Sequence, residues 1–180
     1  MLLESQRSIL LVVDVQERLA PAITGAEALV ERISTLLRAA AELDVPILAT
    51  EQYSKGLGTT VAPLAGLLPP GSVVEKIHFN AAFEPGFVER VRELDRPQIV
   101  VTGTETHVCV LQTTLGLRAA GFDCFLAADA VGSRDPENRR LGMERMRANG
   151  VEIVTSEMVM FEWLRRGSTP AFKRVLPLIR

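Results

Sequence analysis

The stretch QIVVTGTETHVCVLQTTLGLRAAGFDCFLA, Gln98 to Ala127, decides how this chain folds. Its continuous apolar start, Gln98–Thr102, predicts a strand buried on both faces. Helical spacing follows over Thr106–Ala120, and Gly121 is placed to stop it. A second apolar run, Phe122–Ala127, predicts the next strand. A buried strand, a helix and another buried strand form the repeating unit of a parallel sheet covered on both sides.

The same alternation runs outward in both directions. Strands are predicted at Ser8–Val13, Pro46–Thr50, Ser72–Glu75 and Val151–Val154. Between them, Ala26–Leu43 has helical spacing at Leu29, Ile33, Leu36, Leu37 and Ala40, while Pro85–Leu94 and Pro136–Asn149 read as further helices. Lys55 to Gly71 is rich in Gly and Pro and reads as loop or short helix. Ser156 is expected to cap a last helical pair, broken near Gly167-Ser168-Thr169-Pro170. The final stretch, Thr169 to Arg180, carries Phe172, Val175, Leu176 and Ile179 on one face and is expected to pack on its own domain.

At 180 residues, 47% hydrophobic and 23% charged, the chain fits one domain, residues 1–180, around a sizeable core. Twenty basic against 22 acidic residues leave a net charge of −2. That balance gives no reason to expect nucleic acid or an anionic membrane as a partner. The apolar run Ile9–Val13 is too short to cross a bilayer and lacks a basic flank, so a cytoplasmic protein is expected.

In an open parallel sheet the ligand sits beyond the carboxyl ends of the strands, where strand order reverses. The first strand is followed by Asp14-Val15-Gln16-Glu17, with no glycine until Gly25 and so no dinucleotide fingerprint. No Walker A sequence occurs either, and no cofactor is expected. Alone, Asp14 reads as a cap for the next turn and Lys76 as a solvated strand end. Of the two cysteines, Cys124 lies inside a strand and reads as a small buried hydrophobe. Cys109 sits just inside a helix start. With strand order 3-2-1-4-5-6, strands one and four are neighbours about 5 Å apart, and Asp14 and Cys109 face each other across the switch point. Lys76 then has to reach in from two strands away.

Such a trio supports one kind of chemistry. An ordinary thiol, with a pKa of about 8.5, is mostly protonated at neutral pH. A helix N-terminus and an ammonium are expected to lower that value, and a carboxylate in contact can take the proton.

These residues carry a resemblance. LLVVDVQERL, EKIHF, VTGTETHVCVLQT, AADAVGSRDPENR and TSEMVMFEWL resemble, in that order, the motifs of the isochorismatase-like cysteine hydrolases, a family that includes nicotinamidases and N-carbamoylsarcosine amidase. EQYSKGLG and GTETHVC are most similar to the isochorismatase-domain-containing and YcaC-like subgroup. The likeness runs from Ile9 to about the end. It implies a six-stranded parallel sheet between helices, in a three-layer α/β/α fold. It further implies Asp14 as acid and base, Lys76 as charged partner and Cys109 as nucleophile. A cis peptide between Thr104 and Glu105 would turn the Glu105 amide inward, to join that of Cys109 as an oxyanion hole. Gln16, Leu19, Tyr53, Phe79 and Thr106 are the residues expected to line the pocket. Terminal helices in the family often build oligomers, so a homodimer or larger ring is expected.

The sequence also departs from part of that family. Metal-binding nicotinamidases have Asp-x-His near the second strand, where this chain has Glu51-Gln52-Tyr53. Its only histidines are His78 and His107, too few for a three-ligand site, so no metal is expected. His107 reads as a helix-start residue packed on its neighbours. The expected activity is hydrolysis of a small amide or related carbonyl compound through a Cys109 thioester. Two other classes stand beside it. A non-catalytic binding domain would have no use for all three residues, and a thiol redox sensor would lack a nearby resolving cysteine.

Overall fold

The strand β1 (Ser8–Val13) is buried along all six residues, and its side chains divide alternately between two cores. Leu10 and Val12 face one side, Ile9, Leu11 and Val13 the other. A strand apolar at every position needs cover on both faces, which is why the run carries no polar alternation. The structure, a computed structural model, describes residues 1–179; Arg180, the end of the expected last helix, lies outside the described residues.

Six parallel strands form one sheet in the order β3-β2-β1-β4-β5-β6. The other five are β2 (Ile47–Gln52), β3 (Val73–Lys76), β4 (Gln98–Thr104), β5 (Asp123–Gly132) and β6 (Glu152–Val154). The helices are α1 (Ala26–Glu42), the short α2 (Ser54–Leu57) and α3 (Ala62–Ala65), α4 (Phe87–Glu93), α5 (Leu111–Ala119), α6 (Pro136–Ala148), α7 (Ser156–Leu164) and α8 (Pro170–Ile179). Leu29, Ile33, Leu36 and Leu37 of α1 cover one face with Val159, Met160 and Trp163 of α7 and Val175 of α8. Phe87 and Val91 of α4, Leu117 of α5 and Met146 of α6 cover the other. Each fully buried Leu, Ile or Phe contributes about 1.5–3 kcal/mol by leaving water, so two continuous cores hold the sheet rigidly.

The three-layer α/β/α architecture and strand order agree with the sequence. Several local details differ. Thr155, not Ser156, caps α7, accepting from the Met158 amide at 3.2 Å, while the Ser156 hydroxyl donates to Asp129 at 2.5 Å. Within α8, Phe172 and Ile179 pack on the core as expected, with Leu178 rather than Leu176 beside them. The expected single helix over Thr106–Ala120 begins as a π-type turn, Thr106–Val110, before α5. Pairing of β4 with β5 shifts register between Val101 and Gly103, so both strands run on past the lengths their apolar runs suggest.

Candidate active site

The carboxyl ends of β1, β2, β3 and β4 build the site, and register sets its spacing. Val13 pairs with Thr50 on one side and Gly103 on the other, while Gln52 pairs with Lys76. Asp14, the next residue after β1, has φ 52°, in the left-handed region that Asp tolerates better than most residues. Its backbone is fixed at both ends. The N–H donates to the Thr50 carbonyl at 3.1 Å, and the carbonyl accepts from the Thr104 hydroxyl at 2.6 Å.

Gly103 makes this approach possible. At φ +118°, a Cβ there would stand 2.0 Å from the Val13 carbonyl oxygen, well inside contact distance. On the far side, a Cβ on Gly142 of α6 would come 3.0 Å from the His107 Cα, so α6 packs directly against the turn that carries Cys109.

Lys76 reaches the centre as expected. Its ammonium donates to Asp14 Oδ2 at 2.7 Å, to Gln52 Oε1 at 2.7 Å and to the His78 carbonyl at 3.2 Å. All three N–H bonds are occupied, and neither side chain of the ion pair is exposed. Thr50 donates to Asp14 Oδ1 at 2.6 Å. The turn that supplies the His78 carbonyl is tied by Glu84, which accepts the amides of Ile77 at 2.6 Å and His78 at 2.7 Å.

The Cys109 thiol lies beside Asp14 and is 6% exposed. Here the structure corrects one expectation. Burial, reinforced by the Asp14 charge, pushes the thiol up to about 12 despite the opposing pull of Lys76. A helix start and an ammonium do not lower it, because the ammonium is already neutralised by Asp14 and a thiolate would be a second buried anion. Burial also raises the Asp14 carboxyl, against Lys76 and Thr50, which favour its ionised form. A thiolate beside the Asp14 carboxylate would leave one cation, Lys76, for two buried anions.

A second correction concerns the turn itself. No peptide bond among the described residues is cis, and Thr104–Glu105 is trans. Glu105 is extended, at φ −62° and ψ 120°, and the unusual backbone conformation is taken by the preceding glycine, Gly103, which lacks the Cβ that would clash.

Cys109 and Asp14 line a cavity of about 430 Å³. Leu19 and Phe79 line it, as expected, together with Ala22, Leu57 and Val108. Gln16, Tyr53 and Thr106 do not. The Gln16 side chain is an internal clamp, donating to the carbonyls of Gln52 at 3.0 Å and Gly58 at 2.7 Å and accepting the Gln52 amide at 2.8 Å. Tyr53 is half exposed and lies over Gly56. Thr106 is fully buried behind the turn, its hydroxyl without a hydrogen-bond partner.

Sequence reasoning missed Arg18, Gln52, Arg134 and the Glu105 side chain, all of which line the cavity. Gln52 was within reach of that reasoning. Extending β2 by two residues makes it, rather than Tyr53, level with Lys76. Arg134 lies in the AADAVGSRDPENR motif, but nothing in the sequence shows that its Nε and backbone amide both engage the buried Glu105 carboxylate. His107 packs on its neighbours, its Nδ1 3.1 Å from the Ser133 hydroxyl and 3.4 Å from Glu105 Oε2. Cys124 is buried, its thiol 3.6 Å from the Thr114 carbonyl.

Comparison with known proteins identifies the family and the fold. Residues 8–158 match the family model described as the isochorismatase domain. Isochorismatase family protein 1B of Dictyostelium discoideum is 34% identical over 180 residues, covering 97% of this chain and 87% of that protein. The structure titled MAR1 ribonuclease from Caenorhabditis elegans superposes with a TM-score of 0.93 at 32% identity, covering 99% of this chain and 92% of the other. The YcaC gene product of Escherichia coli, titled an octameric hydrolase of unknown specificity, has the same fold, with a TM-score of 0.89 at 24% identity and coverage of 98% and 92%. The match along most of its length places this chain in the isochorismatase family.

Proposed function

We propose that this chain is a metal-independent cysteine hydrolase that cleaves a small amide or related carbonyl compound through a thioester on Cys109. Family membership supports a hydrolytic role. The observation that carries the finer reading is a buried thiol and a buried carboxylate lining one cavity, with a fully bonded ammonium held against the carboxylate.

In this reading the resting site holds a thiol, an Asp14 carboxylate and an ammonium. As the substrate carbonyl arrives, Asp14 takes the thiol proton and the sulfur attacks the carbonyl carbon. Lys76 stays charged throughout, compensating whichever of the two groups carries the negative charge. With the Thr104–Glu105 peptide trans, the oxyanion is left to the Cys109 amide in its helical turn. Collapse breaks the C–N bond, and Asp14 returns its proton to the leaving nitrogen. Asp14 then takes a proton from water, which attacks the thioester, and the released thiol regains that proton.

The nematode neighbour is named a ribonuclease. An RNA substrate for this chain is disfavoured by its net charge of −2 and by a reacting sulfur set in a cavity near the lower end of the usual small-molecule range of about 300–1,000 Å³. A homo-oligomer fits both the octamer named for the bacterial neighbour and the exposed Ile77, Phe79 and Phe83. Light scattering at two concentrations reads the assembly. The function is tested by screening small amides and carbamoyl compounds against the wild type and Cys109→Ala. Turnover by the wild type alone supports the reading, and equal turnover by both contradicts it.

A further inference from the structure

The charges around the cavity do not cancel. Asp14 is matched by Lys76, with neither exposed. Glu105 is matched by Arg134, in direct contact through Nε. Arg18 is left over. Among the described residues this exposed side chain has no carboxylate within ion-pair distance, and its one side-chain hydrogen bond runs from Nη1 to the Gly56 carbonyl at 2.9 Å. The cavity therefore presents apolar walls from Leu19, Ala22, Leu57, Phe79 and Val108, the Cys109 thiol and one guanidinium without a carboxylate partner.

We propose that the substrate carries an anionic group, a carboxylate in the first instance, remote from the carbonyl that is attacked, and that Arg18 selects it. The amide half of that description rests on the hydrolase reading above; the anionic half does not. A guanidinium has five N–H donors in a plane and pairs with a carboxylate through two of them at once. Arg18 has four still available. Arg134 also has N–H groups to offer, but its charge is already matched by Glu105, so it adds contacts without net attraction. A substrate with an apolar body and an acidic end complements both the walls and the free cation. The carboxylate selects and Arg18 is the specificity residue.

The test needs no known substrate. Two alkylating reagents, N-iodoacetylglycine and its neutral counterpart N-iodoacetylglycinamide, are compared for their rates of modifying Cys109, read by intact mass and peptide mapping. In each reaction the sulfur displaces iodide, an S–C bond replaces the C–I bond, and the thiol proton leaves to solvent. The ratio of charged to neutral rates is normalised to the same ratio for glutathione, which has no cavity. The wild type should favour the charged reagent by about tenfold, the scale of one charge-assisted pair. Arg18→Gln should bring the ratio close to that of glutathione, and Arg18→Lys, which keeps the charge but not the fork, should hold most of it. A wild-type ratio no higher than that of glutathione, or an Arg18→Gln ratio equal to wild type, overturns the proposal. Because alkylation requires only a thiol, this outcome is separable from the hydrolase reading: selective labelling without amide turnover would sink that reading and leave the anion site standing.

Discussion

The Lys76 ammonium meets the Asp14 carboxylate at 2.7 Å across 62 residues of chain, with both side chains wholly removed from solvent. Removing one member of such a pair strands the other charge in the interior. Lys76→Met is expected to cost about 3–5 kcal/mol of unfolding free energy, measured by urea denaturation. A loss below about 1 kcal/mol would mean that water reaches the pair.

The same relationship predicts an inversion at Asp14. The Asp14 charge helps hold the Cys109 thiol protonated, and Lys76 pulls the other way. Asp14→Asn removes the competing anion and leaves the ammonium for the sulfur alone. Iodoacetamide should then label Cys109 at pH 7.5 faster than in the wild type, by about tenfold for each unit its pKa falls, while hydrolysis is lost for want of an acid and base. Slower labelling in this variant would show that Asp14 activates the resting thiol rather than restraining it.

Alkaline pH should weaken the fold. Burial raises both Cys109 and Cys124 from 9.0 to about 12. A folded-state pKa above the unfolded one means that the neutral thiol stabilises the fold fully below pH 9, and that this contribution is lost between pH 9 and 12. Unfolding free energy should fall across that window. The fall should be shallower in a Cys109→Ala/Cys124→Ala protein, and equal slopes would contradict the assignment.

Gly103→Ala tests the backbone at the switch point. The added Cβ meets the Val13 carbonyl oxygen at 2.0 Å, at a φ that L residues rarely adopt. Backbone strain and overpacking together should cost about 2–6 kcal/mol, read as a drop in melting temperature. An unchanged melting temperature would mean that β4 does not approach β1 as described.

The sequence carried the architecture because the central strands β1 and β4 had to be buried on both faces, and the apolar runs that result are local. Asp14, Lys76 and Cys109 could be placed because topology alone carries strand ends to one crevice. The thiol's protonation could not be read the same way. It depends on whether the ammonium is free or already spent, and Lys76 is spent on Asp14, Gln52 and the His78 carbonyl. The pocket lining was half legible for a related reason. Leu19 and Phe79 extend inward from turns, whereas Gln16 turns back to clamp its own loop. Which polar residue closes a loop and which one faces a ligand is a matter of three-dimensional hydrogen bonding.

The central claim is that the acyl group passes through the Cys109 sulfur, and rapid mixing with an activated ester followed by acid quench and intact-mass analysis tests it most directly. The account predicts a burst of product equal to the enzyme present, with the acyl mass recovered on the peptide that contains Cys109 and absent from Cys109→Ala. Turnover without that adduct, persisting in Cys109→Ala, would contradict it.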